Sequence, residues 1–128
     1  MAHADGLYYE RHGAGDPLLL ITGWTISSAV FEPVLDRYSK HFECITYDHR
    51  GSARSKGSSP LTMGALAGDA SRLLTALRIP RALVYGLSMG GMVAQELALR
   101  HAARVRGLVL GGTGYKRLDP APGVYVLG

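Results

Sequence analysis

Short apolar runs that alternate with helix-patterned stretches constrain this chain more than any other feature. Leu18-Leu19-Leu20-Ile21, Phe42 to Asp48, Ala82-Leu83-Val84-Tyr85 and Val105 to Leu110 are brief and largely apolar, with little polar alternation. A strand covered on both faces has this character, because neither side of it meets water. A further strand, Leu7 to Arg11, is less apolar, as an outer strand would be. Between them, Thr62 to Arg78 places Met63, Leu66, Ala67, Ala70, Leu73, Leu74 and Leu77 at spacings of three and four. Asp69, Arg72 and Arg78 fall on the other side, so this helix lays one stripe on a sheet. Met89 to His101 is a second helix. A shorter, earlier one groups Val30, Phe31, Val34, Leu35 and Tyr38, with Pro33 in its first turn, where a missing N–H costs nothing. Strand–helix–strand order with short connections predicts right-handed crossovers, and hence an α/β fold. The sheet is mostly parallel, with helices on both faces.

Composition removes several alternatives. At 128 residues there is room for one core, and no linker or repeat divides it, so residues 1–128 read as a single domain. Hydrophobic residues at 47% exclude a disordered tail. The net charge of +4 is scattered, without the basic, aromatic-laced runs of a nucleic-acid binder. A lone cysteine, Cys44, excludes an intramolecular disulfide and a Cys-rich zinc site, and its apolar surroundings predict a buried thiol. No stretch reaches the ~18 apolar residues a membrane span needs. Met1 to Gly6 lacks the features of a secretory signal, so a cytoplasmic protein with a frayed start around His3 is expected. Nothing calls for a metal or an organic cofactor.

Chemistry concentrates where Ala82–Tyr85 ends. Gly86-Leu87-Ser88-Met89-Gly90 reads as Gly-x-Ser-x-Gly between a buried strand and a helix. So sharp a turn forces Ser88 into a strained backbone conformation. A side chain at Gly86 or Gly90 would strike neighbouring backbone. The strain lifts the Ser88 hydroxyl clear of the sheet at a helix N-terminus, where the Met89 amide is one donor to an oxyanion. Thr22-Gly23-Trp24-Thr25 leaves another strand at the same sheet edge, which makes the Trp24 amide the second candidate donor. Asp48-His49-Arg50-Gly51-Ser52-Ala53-Arg54-Ser55 reads as a polar loop fixed by an Asp–Arg pair rather than as catalytic machinery.

Taken together, these segments resemble the first half of an α/β-hydrolase fold protein, of the esterase, lactonase and haloperoxidase-like branch. The likeness runs from residue 7 to about 115. It rests on Gly23; on Asp48, Arg50, Gly51 and Ser55; on Ile79-Pro80; on Gly86 to Gly91; and on Ala94 and Ala98, in family order. Three departures stand out. Thr22 replaces the family histidine before the oxyanion glycine, so the bonds bracing that loop must be remade. Ala53 and Ala102 replace a glycine and a common proline. Family members also continue past the strand ending near Leu110, with a cap, two more strands, the catalytic acid and the catalytic histidine.

A serine hydroxyl needs a base, and that base needs a third group to hold it. Of the five histidines, only His49 follows a strand at the Ser88 edge, and the family does not use that position as base. Asp119, in Leu118-Asp119-Pro120, better suits a turn than the catalytic acid. Loss of the later strands would also leave Val105–Leu110 as an apolar sheet edge. The resemblance therefore implies a serine hydrolase acting on a carboxylic ester or lactone through an acyl-serine at Ser88. A second polypeptide would supply the C-terminal half. The alternatives are a catalytically inactive binding or assembly subunit and a self-associating fragment. Val124-Tyr125-Val126-Leu127 suits either the start of a cap or a pairing strand.

Overall fold

The computed structural model describes residues 2–23, 26–57 and 62–114. Asp119 and Val124–Leu127 lie outside them. Six strands form one sheet: β1 (Ala2–Ala4), β2 (Leu7–His12), β3 (Asp16–Ile21), β4 (Phe42–Tyr47), β5 (Ala82–Leu87) and β6 (Val105–Gly111). Three α-helices connect them, α1 (Glu32–Tyr38), α2 (Met63–Ala76) and α3 (Met89–Arg100). The strand order is β1-β2-β4-β3-β5-β6, with β4, β3, β5 and β6 parallel and β1 and β2 antiparallel. The α/β class and the mostly parallel sheet are as the sequence predicts.

Alternation along each strand sorts the core into two layers. Leu19 and Ile21 of β3, Ile45 and Tyr47 of β4, and Ala82 and Val84 of β5 turn toward α2 and α3, whose Leu66, Leu73, Leu74, Val93 and Leu97 complete the larger cluster. Leu18, Leu20 and Cys44 face the other way, against Phe31 and Leu35 around α1. Both faces of the central strands are thereby dry, which explains their near-continuous apolar runs. Burial pushes the Cys44 thiol pKa up, so it is an inert core group.

Capping agrees with the sequence. Thr62 Oγ1 accepts the Ala65 amide at 2.9 Å and starts α2. Pro33 sits in the first turn of α1.

Two expectations need correction. The start of the chain is not frayed: Ala2–Ala4 pairs antiparallel with Leu7–Tyr9 across Asp5-Gly6, whose positive φ values of 52° and 80° make the tight hairpin turn favoured by that dipeptide. His3 packs edge-on against Tyr8. Val30 does not share the buried face of α1. The segment Ser28–Phe31 is a 3₁₀ turn, whose threefold winding rotates Val30 outward to 42% exposure.

Among the described residues, β6 pairs on one side only. Val109 is exposed beside half-buried Leu83, Tyr85 and Leu87, which makes this side of the sheet apolar among the described residues. Among the described residues no helix is long and apolar enough to cross a membrane.

Candidate active site

The parallel strands β3, β4 and β5 deliver their C-terminal ends to one edge, and the chemistry-bearing segments gather there. Between β5 and α3 stands Ser88 alone, at φ 56° and ψ −123°, a combination that L-residues rarely adopt. Its amide donates to the Gly111 carbonyl at 2.9 Å, and its carbonyl accepts from Gly91 N–H at 2.9 Å. With its backbone bound on both sides, Ser88 is exposed.

The glycines hold this turn for the reason the sequence suggests. A Cβ on Gly86 would lie 2.5 Å from the Gly90 carbonyl oxygen, and one on Gly90 only 2.1 Å from that of Ile21. Both obstacles are backbone and cannot step aside. A Cβ on Gly91 would meet the Thr113 side chain at 2.5 Å.

Met89 opens α3, and among the described residues its amide has no backbone acceptor. It is an orphan donor at the positive end of a helix dipole. Gly23, at the exit of β3, lies alongside: a Cβ there would be 3.6 Å from Ser88 Cβ. Ser88, Met89, Gly86 and Gly90 are thus brought together with Gly23. The Trp24 amide lies outside the described residues. Among the described residues no three His, Cys, Asp or Glu side chains converge as metal ligands.

The loop after β4 is a hydrogen-bonded brace. Asp48 is fully buried, and its Oδ1 accepts Ser28 N–H at 2.8 Å. Its Oδ2 accepts the Arg54 amide at 3.2 Å and Arg54 Nε at 3.1 Å. Burial alone would raise the Asp48 carboxyl, but the bonds from Ser28 and Arg54 outweigh it and hold the pKa below the usual carboxylate range. Ser55 Oγ donates to the Asp48 carbonyl and accepts Tyr8 N–H, stitching the loop to β2. The expected Asp–Arg pair is therefore Asp48 with Arg54. Arg50 turns away and makes a two-pronged bond with Asp69 of α2, which also holds Arg72. Asp69, expected on the outer side of that helix, is buried because these two guanidinium groups cover it.

His49 occupies a place the sequence reading did not assign to it. It is 2% exposed, and its Nε2 lies 2.7 Å from the Thr22 carbonyl oxygen. Burial lowers its pKa, against the opposing pull of that bond and of Asp69 and Asp48. Its other nitrogen, Nδ1, is buried without a hydrogen-bond partner, so among the described residues no contact joins the ring to Ser88. His101 stands at the far end of α3, about 20 Å along the helix from Ser88. The clue to His49 was available: Thr22 stands where the family has a bracing histidine, and a histidine appears instead one position after Asp48.

Comparison with known proteins places this geometry in context. A family model described as alpha/beta hydrolase fold matches residues 16–124. A provisionally named carbamate hydrolase, RutD, of Azorhizobium caulinodans is 37% identical over 114 residues, spanning 88% of this chain and 43% of the relative. A hydrolase from Pseudomonas aeruginosa superposes with a TM-score of 0.83 at 35% identity, over 94% of this chain and 47% of that one. The enol-lactonase of Burkholderia xenovorans superposes at 0.80 with 34% identity, over 84% and 43%. The chain thus spans a little under half the length of these relatives.

Proposed function

The chain belongs to the alpha/beta hydrolase fold family, and from that premise we propose that Ser88 is the nucleophile of a serine hydrolase cleaving a carboxylic ester or lactone. The observation that carries this reading is the conformation of Ser88. It is held at φ 56° by two glycines that tolerate no side chain, and it is exposed at a helix N-terminus. A protein does not store that strain for a capping residue, and Ser88 makes no side-chain cap bond.

In the proposed reaction, Ser88 Oγ attacks the carbonyl carbon and its proton passes to a base. The electrons displaced onto the carbonyl oxygen are met by the Met89 N–H and, as the second donor, the Trp24 N–H. The intermediate collapses to an acyl-serine as the alcohol leaves with the proton. Water then repeats the sequence and frees the acid. The names of two relatives, a carbamate hydrolase and an enol-lactonase, support this class, because both imply attack on a carbonyl carbon bearing a heteroatom leaving group.

The base and its acid partner are proposed to come from the half of the fold that this chain does not span, on a second polypeptide seated along β6, which pairs on one side only among the described residues. A fluorophosphonate probe should label Ser88 in the assembled protein, and Ser88→Ala should abolish the label. Native mass analysis should reveal the second chain. If that chain is present and intact and Ser88 remains unlabelled, the nucleophile assignment is wrong. The alternative, an inactive binding or assembly subunit on the same apolar edge, then stands.

A further inference from the structure

We propose that His49 is a positioning residue of this site: its Nε2–H grips the Thr22 carbonyl and sets the exit of β3 against the first turn of α3. The inference rests on the reading of Ser88 as nucleophile and adds a part to it.

The geometry starts from the acceptor. A carbonyl oxygen only accepts, so the 2.7 Å contact requires the hydrogen on Nε2 of His49. Nδ1, buried and without a partner, is then the bare nitrogen. The ring is held edge-on against Tyr47, with centroids 5.5 Å apart and planes at 77°, and Tyr47 is itself buried. Thr22 is fully buried as well, so its carbonyl has no access to water and depends on this donor.

The same carbonyl faces the nucleophile turn. A Cβ on Gly90 would lie 2.6 Å from the Thr22 oxygen, so that oxygen is packed between the His49 ring and the bare Cα of Gly90. The next residue, Gly23, lies alongside Ser88 Cβ. A shift of Thr22 therefore moves the peptide next to the nucleophile. The far end of the same connection is tied by the preceding residue: Asp48 Oδ1 accepts Ser28 N–H, and Arg54 Nη2 donates to Ser28 Oγ at 3.3 Å. Asp48 and His49, adjacent in sequence, thus secure the two ends of the segment that begins at Thr22 and ends at Ser28. Thr22 leaves that segment without the family's own brace, and His49 supplies one from the neighbouring loop.

The test compares His49→Gln, which keeps an N–H donor, with His49→Leu, which keeps bulk and loses it, in the assembled protein. Fluorophosphonate labelling of Ser88 is followed at several probe concentrations to separate reversible binding from bond formation. His49→Leu should slow the bond-forming step about 10–100-fold with reversible binding unchanged, and His49→Gln should restore most of it. Wild-type rates in His49→Leu, or equal losses in both variants, overturn the inference, because a space-filling histidine predicts those results. Absence of label in the wild type sinks the Ser88 reading, and the positioning role with it. Should His49→Leu fail to fold, imidazole ¹⁵N shifts of the unsubstituted protein decide. A neutral ring protonated at Nε2 is expected, and the Nδ1–H tautomer overturns the assignment.

Discussion

Replacing Ser88 by glycine should stabilise the protein while destroying its proposed nucleophile. At φ 56° and ψ −123° a residue with a Cβ carries about 1–3 kcal/mol of backbone strain, and glycine carries almost none. Against this, glycine enlarges the unfolded ensemble, which costs about 0.4–1 kcal/mol. Ser88→Ala is the right reference, since it also lacks the hydroxyl but keeps the Cβ. The difference leaves Ser88→Gly more stable than Ser88→Ala by about 1 kcal/mol. With an unfolding entropy of about 2.1 cal/mol/K per residue, that corresponds to a rise of about 4 °C in Tm. Urea unfolding at equal m-values and thermal melts, read for both variants side by side, measure it. Equal stability of the two, or a less stable glycine variant, would show that the turn is not strained. The main support for Ser88 as nucleophile would go with it.

Three further outcomes are expected. Gly90→Ala should cost about 3 kcal/mol and abolish Ser88 labelling, because its Cβ would press on the Ile21 and Thr22 carbonyl oxygens, neither able to yield; melting and labelling check it together. Asp48→Asn should cost about 2–4 kcal/mol, since an amide cannot accept from Ser28 and Arg54 on both sides. Because the folded Asp48 carboxyl titrates below its unfolded value, its contribution is complete above about pH 4 and disappears as pH falls through the folded pKa; the acid limb of stability against pH should flatten in Asp48→Asn. His49 follows the same sign for a different reason: burial disfavours its charged form, so stability is complete above about pH 6.5 and declines as the pH drops toward the lower folded pKa. Asp48 and Asp69 face this ring and limit the decline, and His49→Gln should remove it.

Much of the architecture could be read from the chain because the signals are local. A strand dry on both faces needs an apolar run, and Leu18–Ile21 and Ala82–Tyr85 supply it. A helix laid on a sheet needs a stripe at spacings of three and four, and Leu66, Ala70, Leu73, Leu74 and Leu77 supply that. β1 was missed: Asp5-Gly6 is a hairpin turn signal, but three residues of strand carry too little pattern to stand out beside it, and a frayed start was expected instead. The site divides in the same way. Gly86 collides with Gly90 and Gly91 within six residues of chain, so the motif encodes that part of the turn, whereas Gly90 is kept bare by the Ile21 and Thr22 carbonyls across the sheet.

What sequence could not decide was which groups meet across distance. Asp48 finds Ser28 twenty residues away and His49 finds Thr22 across twenty-seven, both where β4 packs beside β3, while Arg50 finds Asp69 nineteen residues on, in α2. By itself the amino-acid order determined the alternating elements and the strained turn, because those follow from sterics and burial along a few consecutive residues. Only the tertiary structure decided that His49 meets the Thr22 backbone carbonyl. A side chain's role depends on what the fold places within hydrogen-bond reach of it.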